Sequence, residues 1–241
     1  YLCTPFSREA VDRLEEMGVS AYKIGSGECN NLPLLDHVAR KRKPVILSTG
    51  MNDIHSIRKS VNLLSEHGVQ LALMHCTSLY PTPYDMVRLG AIRKLQEEFQ
   101  LPVGLSDHSL GIYTSLGAVA LGACILEKHF TVSRQWPGPD VPLSIEPNEL
   151  EELVKGAKAI YAARDASNNI LPEEQPVIDF AYASIVTIRD IEEGESFTLE
   201  NVWVKRPGGG IPASQLSDVI GRRTRRPLLA NVAIMPEDIL E

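Results

Sequence analysis

The sequence predicts an α/β fold: a (β/α)8 barrel of which six units are present, followed by a small β-rich domain. Three observations carry this reading. Short apolar runs alternate with helix-like stretches over residues 1–167, polar residues close each run, and after Asn168-Asn169 the alternation gives way to strand-like pieces and turns. Strands alternating with helices mean a parallel sheet, and so regular a run favours the eight-fold barrel. Six units are two short of closing it. Two N-terminal units are therefore expected to be missing, and the 241-residue chain alone is expected to be inactive and poorly stable. It starts at Tyr1, directly in a strand and without methionine, which leaves a targeting segment open.

Each element has its own signal. After Tyr1-Leu2-Cys3-Thr4, Ser7 can cap a helix whose apolar positions Ala10, Val11, Leu14 and Met17 recur at helical spacing, stopped by Gly18. Ala21-Tyr22-Lys23-Ile24 reads as a strand, and a helix follows over Leu34 to Arg40. Pro44-Val45-Ile46-Leu47 is the next strand, followed by a helix through Ile54, Ile57, Val61 and Leu64 that Gly68 closes. Leu71-Ala72-Leu73-Met74 leads to His75-Cys76-Thr77-Ser78, and Ile92, Leu95 and Phe99 mark another helix. Two more short strands end in Ser106-Asp107-His108 and Glu127-Lys128-His129, with a buried helix over Ile112 to Gly122 between them. Pro147, a good first helical residue, opens a last helix to Ala163. Residues 168–179 read as an acidic, proline-bounded linker, and 180–241 as the β-rich domain. That domain carries a weak repeat offset by 37 residues, with Gly194 matching Asn231, Phe197 matching Ile234 and Glu200 matching Glu237. Gly and Asn best tolerate a left-handed turn, so both halves are expected to make the same bend.

Composition narrows the function classes. A formal charge of −7 argues against a nucleic-acid partner, and Arg222, Arg223, Arg225 and Arg226 read as a solvated face or an interface. No run approaches the roughly 20 apolar residues of a membrane span. The four cysteines lack paired spacing and read as buried free thiols in a reducing compartment, hence a cytoplasmic protein.

The chemistry sits at the strand ends. Thr4, Lys23, Ser26, Glu28, Ser48, Thr49, Ser78, Tyr80, Ser106, His108 and His129 follow one another there, in the mouth where parallel barrels place their sites. Hydroxyls interleaved with a lysine suit a phosphate, although for any one serine alone a helix cap or turn is the better reading. Gly25 and Gly27 beside Lys23 let backbone approach a ligand. Two neutral imidazoles, His108 and His129, could hold a divalent metal and leave its other positions to water and substrate; the plainer reading packs one and hydrogen-bonds the other. Glu28 and Asp140 could bind sugar hydroxyls, and Trp136-Pro137-Gly138-Pro139-Asp140 is a stiff loop placed to overhang the mouth.

These residues carry a resemblance. Lys23-Ile24-Gly25-Ser26-Gly27-Glu28, the run from His75-Cys76-Thr77-Ser78 through Pro83, Ser106-Asp107-His108, Glu127-Lys128-His129-Phe130-Thr131 and Pro137-Gly138-Pro139-Asp140 resemble the bacterial sialic acid synthases. Asp179-Phe180-Ala181 and Trp203-Val204-Lys205-Arg206-Pro207-Gly208 resemble their C-terminal antifreeze-like (SAF) domain. The resemblance implies a TIM barrel joined to a β-clip domain, and condensation of phosphoenolpyruvate with an open-chain N-acetylated amino sugar, typically N-acetylmannosamine, releasing phosphate. It implies that His108 and His129 hold a divalent metal, Mn²⁺ by preference with Mg²⁺ or Co²⁺ as alternatives, which polarises the sugar aldehyde. It places Thr4, Lys23, Ser26, Ser48, Ser78 and Ser106 around phosphoenolpyruvate and Glu28, Tyr80 and Asp140 at the sugar. Ser78 stands where the N-acetylneuraminate enzymes often have Asn, which leaves room for the relatives making legionaminic or pseudaminic acid. It further implies a homodimer in which the SAF domain caps the partner barrel and Arg206 reaches its sugar.

Two rival readings remain at this stage. Another phosphoenolpyruvate- or pyruvate-using barrel aldolase would employ the same mouth, with Lys23 as a Schiff-base nucleophile in one version. A non-catalytic sugar-binding or ice-interacting module would rest on the small C-terminal domain.

Overall fold

A computed structural model describes residues 1–164 and 167–240, and the chain divides into two compact units, Tyr1–Asp165 and Ala166–Glu241. Residues 165 and 166, inside the expected first domain of 1–167, lie outside the described residues.

In the first unit, Ser7 accepts from the Ala10 N–H and opens α1 (Arg8–Glu16), which Gly18 ends in a left-handed conformation at φ +74°. The chain then alternates through β1 (Tyr22–Ile24), α2 (Leu32–Ala39), β2 (Val45–Ser48), α3 (Ile54–Glu66) and β3 (Leu71–Cys76). Asn31 and Asp53 cap α2 and α3 by accepting from the N–H groups of Leu34 and Ser56. A short α4 (Tyr84–Val87) precedes α5 (Gly90–Phe99), and β4 (Val103–Asp107), α6 (Tyr113–Ala120), β5 (Leu126–Lys128) and α7 (Pro147–Ala162) complete the unit.

The five strands pair in parallel in chain order, β1 to β5. Every residue of β1 and β4 is buried, as expected of a parallel sheet covered on both faces. β5, an edge, is only half-buried. Val11, Leu14, Leu35, Val38, Ile57, Leu64 and Ile92 from the helices pack on Leu47, Leu73 and Leu105 of the strands. The expected first strand is a correction. Tyr1–Thr4 forms no strand; its link to the sheet is the Lys23 N–H donating to Cys3 O at 3.2 Å, and a single bond makes no ladder. The sheet is thus five strands of a curled, open barrel.

The second unit holds α8 (Gln175–Ala181), β6 (Ser184–Thr187), β7 (Val202–Lys205) and α9 (Leu216–Val219). Within the expected linker of 168–179, a 3₁₀ turn at Pro172–Glu174 runs straight into α8. Its prolines stand where a helix tolerates them, in first turns. β6 and β7 pair antiparallel around a core of Ile185, Phe197, Val202, Leu228 and Ile234. The repeat is real. Gly194 and Asn231 both adopt left-handed backbone, at φ +77° and +63°. Ile191 and Leu228, equivalent positions, exchange both backbone hydrogen bonds at 2.8 and 2.9 Å. Further bonds come in matched copies: Asn231 N–H to Thr187 O with Gly194 N–H to Thr224 O, and Ile234 N–H to Ile185 O with Phe197 N–H to Arg222 O.

Candidate active site

A cavity of about 390 Å³ opens at the C-terminal ends of the five strands. Eight expected site residues line it: Lys23, Ser26, Ser48, Ser78, Tyr80, Ser106, His108 and His129. Strand alternation explains the pairing, because residues two apart share a face. Ser106 with His108 and Glu127 with His129 turn inward, and the register sets Ser106 opposite Glu127.

The buried Lys23 ammonium lies 3.4 Å from Ile24 O and 3.3 Å from the Glu127 carboxylate. Ser106 Oγ donates to the same carboxylate oxygen at 2.7 Å. Ser26 Oγ accepts from the Gly50 N–H at 3.0 Å. Ser48 Oγ is the one buried side-chain polar atom without a partner among the described residues. Such a group is costly unless a ligand satisfies it.

His108 Nδ1 lies 3.0 Å from Thr77 O, and a carbonyl can only accept, so this nitrogen carries the proton and Nε2 keeps its lone pair. Cys76 Sγ stands 3.8 Å from the same nitrogen. Burial works against the charged imidazole, but the Cys76 and Thr77 contacts outweigh it and His108 is held above its ordinary value. Burial also opposes the Cys76 thiolate; His108, with Ser26 and Ser78, reverses this and draws the thiol down. His129 goes the other way: burial, then the neighbouring His108, lowers it and favours neutral imidazole. The two rings lie 5.3 Å apart between centroids, and Tyr80 stacks on His108 at 4.1 Å and meets His129 edge-on at 5.9 Å. Burial raises the Tyr80 hydroxyl.

Among the described residues no cluster of three or more His, Cys, Asp or Glu side chains forms a metal seat. The donor set on offer is therefore two imidazoles, one with its tautomer fixed by a backbone carbonyl, as metal-binding histidines require. It suits a divalent ion that keeps other positions for water and substrate.

Four expected residues do not line the cavity. Thr4 sits beside the cavity residue Gly25, where a Cβ would meet its methyl at 3.7 Å. Glu28 is turned to Asn31, whose Nδ2 donates to it at 2.6 Å. Asp140, at the end of the proline loop, stands 3.6 Å from His129 Nδ1. Arg206 is exposed at the end of β7 in the second unit. Cys76 and Glu127 are lining residues that sequence reasoning gave no role. The inward face of Glu127 was legible, two positions before His129 on the same strand, but its pairing with Lys23 was not. The thiols are corrected too. All four are free, but Cys124 is exposed and Cys3 half-exposed. No helix among the described residues is long and apolar enough to cross a membrane.

Residues 1–169 match the NeuB family and 182–240 match the SAF domain. An N,N'-diacetyllegionaminic acid synthase of Campylobacter jejuni is 42% identical over 226 residues, covering 92% of this chain and 68% of its own length. A Legionella pneumophila protein of the same name is 38% identical over 248 residues, covering 99% and 69%. Among solved structures, the N-acetylneuraminic acid synthetase of Leptospira borgpetersenii superposes with a TM-score of 0.69 at 37% identity, over 73% of this chain and 62% of its own. The chain thus spans between about three fifths and seven tenths of these proteins.

Proposed function

This chain belongs to the NeuB family and carries a SAF domain, and from that premise we propose that its cavity condenses phosphoenolpyruvate with an open-chain N-acylated amino sugar to give a nonulosonic acid and phosphate. One observation carries the reading: Lys23, the serine hydroxyls and the His108–His129 pair line a single cavity. The Lys23 ammonium has three protons. Ile24 O and Glu127 engage two of them, leaving one for a phosphoryl oxygen, and Ser48 Oγ supplies a free donor beside it. These groups position the phosphate and balance its charge. The enol carbon forms the new bond to the aldehyde carbon, water adds at the carbon bearing phosphate, and the C–O bond to phosphate breaks. His108 and His129 would hold the divalent ion, Mn²⁺ by preference with Mg²⁺ or Co²⁺ as alternatives, which supplies Lewis-acid polarisation of the aldehyde. Tyr80 packs against both imidazoles and walls the sugar side of the cavity.

The test is mass spectrometry of the product made by the full protein from phosphoenolpyruvate and a panel of amino sugars. N-acetylmannosamine is the first substrate to try. Ser78, together with the identity to the Campylobacter and Legionella proteins, favours a second reading in which the sugar bears two acetamido groups. No new nonulosonic acid from any sugar would refute the proposal.

The same reading assigns the protein to the cytoplasm and to a homodimer in which the SAF domain docks on the partner barrel, with Thr4, Glu28, Asp140 and the partner subunit's Arg206 completing the substrate contacts. Two inactive variants of the full protein, Arg206→Ala and His108→Ala, should regain partial activity when mixed, because one site of a mixed dimer carries neither lesion. No recovery after confirmed subunit exchange would refute the trans arrangement.

A further inference from the structure

Each histidine of the site follows a residue that the chemistry above leaves unused. Asp107 precedes His108, Lys128 precedes His129, and the two are register partners at the end of the β4–β5 ladder. Alternation turns them away from the cavity that the histidines line. Their side chains are 0% and 3% exposed, with Lys128 Nζ 3.1 Å from Asp107 Oδ2. The same ammonium donates to Ser109 O. One lysine therefore grips the residues on both sides of His108 while its own backbone carries His129.

The far end of the pair is anchored as well. Asp107 Oδ1 accepts from the Ser109 N–H at 2.9 Å, and Oδ2 accepts from Thr114 Oγ1 and Ser115 Oγ, each at 2.7 Å. The turn that carries His108 is thus tied to the first residues of α6 through one carboxylate. A buried ion pair is weak evidence for stability, because desolvating both charges offsets their attraction. Its distinct contribution here is geometry, since regular pairing between β4 and β5 ends at Asp107 and Lys128 and both histidines lie beyond it.

We propose that Lys128 is a positioning residue that sets the mutual placement of the His108 and His129 imidazoles. Where a metal is concerned, this rests on the function proposed above. Lys128 touches neither substrate nor metal; it acts through the backbone on either side of His108.

Two variants of the full protein test this. Lys128→Met removes the clamp but leaves the Asp107 charge buried and unpaired, which endangers folding. Asp107→Asn with Lys128→Met removes both charges and keeps the Oδ1 acceptor for the Ser109 N–H, while the new amide NH2 can donate to the Thr114 and Ser115 hydroxyls once these rotate. The measurements are the thermal midpoint, Mn²⁺ titration followed by electron paramagnetic resonance, and the histidine imidazole signals of the metal-free protein by NMR. The double variant is expected to stay folded, to lose about 10- to 100-fold in Mn²⁺ affinity, and to shift the His108 and His129 signals. His75 should be unmoved, because it is bonded to Val87 O away from the clamp. A folded variant with unmoved imidazoles and unchanged Mn²⁺ affinity overturns the proposal. If the parent binds no Mn²⁺, the metal reading fails, and the imidazole signals alone decide the positioning role. If neither variant folds, Lys128 serves the fold and the proposal is wrong.

Discussion

Lys23 and Glu127 form an ion pair at 3.3 Å although they belong to the first and last strands of the five-stranded sheet. In a flat sheet four interstrand spacings would hold those strands about 19 Å apart. The sheet must therefore curl until its two edges share one interior, and both residues line the cavity at the strand ends. Lys23→Met in the full protein should raise the phosphoenolpyruvate KM far more than the sugar KM. A charge-assisted hydrogen bond contributes about 1.5–3 kcal/mol, or roughly 10- to 150-fold. Steady-state kinetics with each substrate varied decides it, and a change confined to the sugar would misassign Lys23.

Exhaustive chelation should abolish turnover of the full protein, and Mn²⁺ or a similar ion should restore it. The basis is the two facing imidazoles and the His108 tautomer set by Thr77 O. The His108→Ala/His129→Ala protein should bind no Mn²⁺ by direct titration. Undiminished activity after chelation would remove the metal from the mechanism.

Gly50 admits no side chain without disturbing the cavity. A Cβ there would lie 2.5 Å from Ser78 Oγ, 2.8 Å from Ser26 Oγ and 3.1 Å from Cys76 Sγ. Gly50→Ala should displace both hydroxyls and weaken phosphoenolpyruvate binding about tenfold, with a stability loss of about 1–3 kcal/mol from overpacking. Urea unfolding alongside kinetics separates the two effects, and a variant unchanged in both would contradict this account of the glycine.

Burial pushes the Cys29 thiol up to about 11. Near pH 8 only about one molecule in a thousand then carries the reactive thiolate. Iodoacetamide followed by peptide mass spectrometry should label the exposed Cys124 and leave Cys29 unmodified until the chain unfolds. Since the thiolate is the nucleophile, raising the pH toward 11 should favour Cys29 labelling. Rapid modification of native Cys29 near neutrality would show that its surroundings are more open than its burial implies.

Asn231 holds a left-handed backbone at φ +63°. Asn231→Ala should destabilise the second unit by about 1–2 kcal/mol, whereas Asn231→Gly should lose little beyond the contact with the Lys205 ammonium. Gly194→Ala, at the equivalent bend, should behave like Asn231→Ala. Urea midpoints that rank alanine with glycine at position 231 would contradict the strain argument.

What was legible followed from local rules. The cap at Ser7 and the apolar periods along the chain locate the helices, and the 37-residue offset exposes the paired bends at Gly194 and Asn231. The misses depend on neighbours distant in sequence. Tyr1–Thr4 has strand-like residues but too few backbone partners to form a ladder. Cys124 follows an apolar run yet stays exposed, because burial depends on what packs above it. Glu127 stood inside a motif read for its histidine, and its partner Lys23 lies 104 residues earlier in the chain. No local pattern can report such a pair.

The matched hydrogen bonds of the second unit have a thermodynamic corollary. When Ile191 and Leu228 donate to each other, and the bonds at Gly194 and Phe197 have twins at Asn231 and Ile234, the two halves meet as the subunits of an isologous dimer meet, by the same patch on both sides. Here covalent linkage replaces association, which removes the entropy cost of bringing two chains together. Each half of the unit thus satisfies backbone groups of the other within one chain. Glycine at one bend and asparagine at the other, with Asn201 and Asp238 accepting at matching turns, show one backbone plan carried by different side chains.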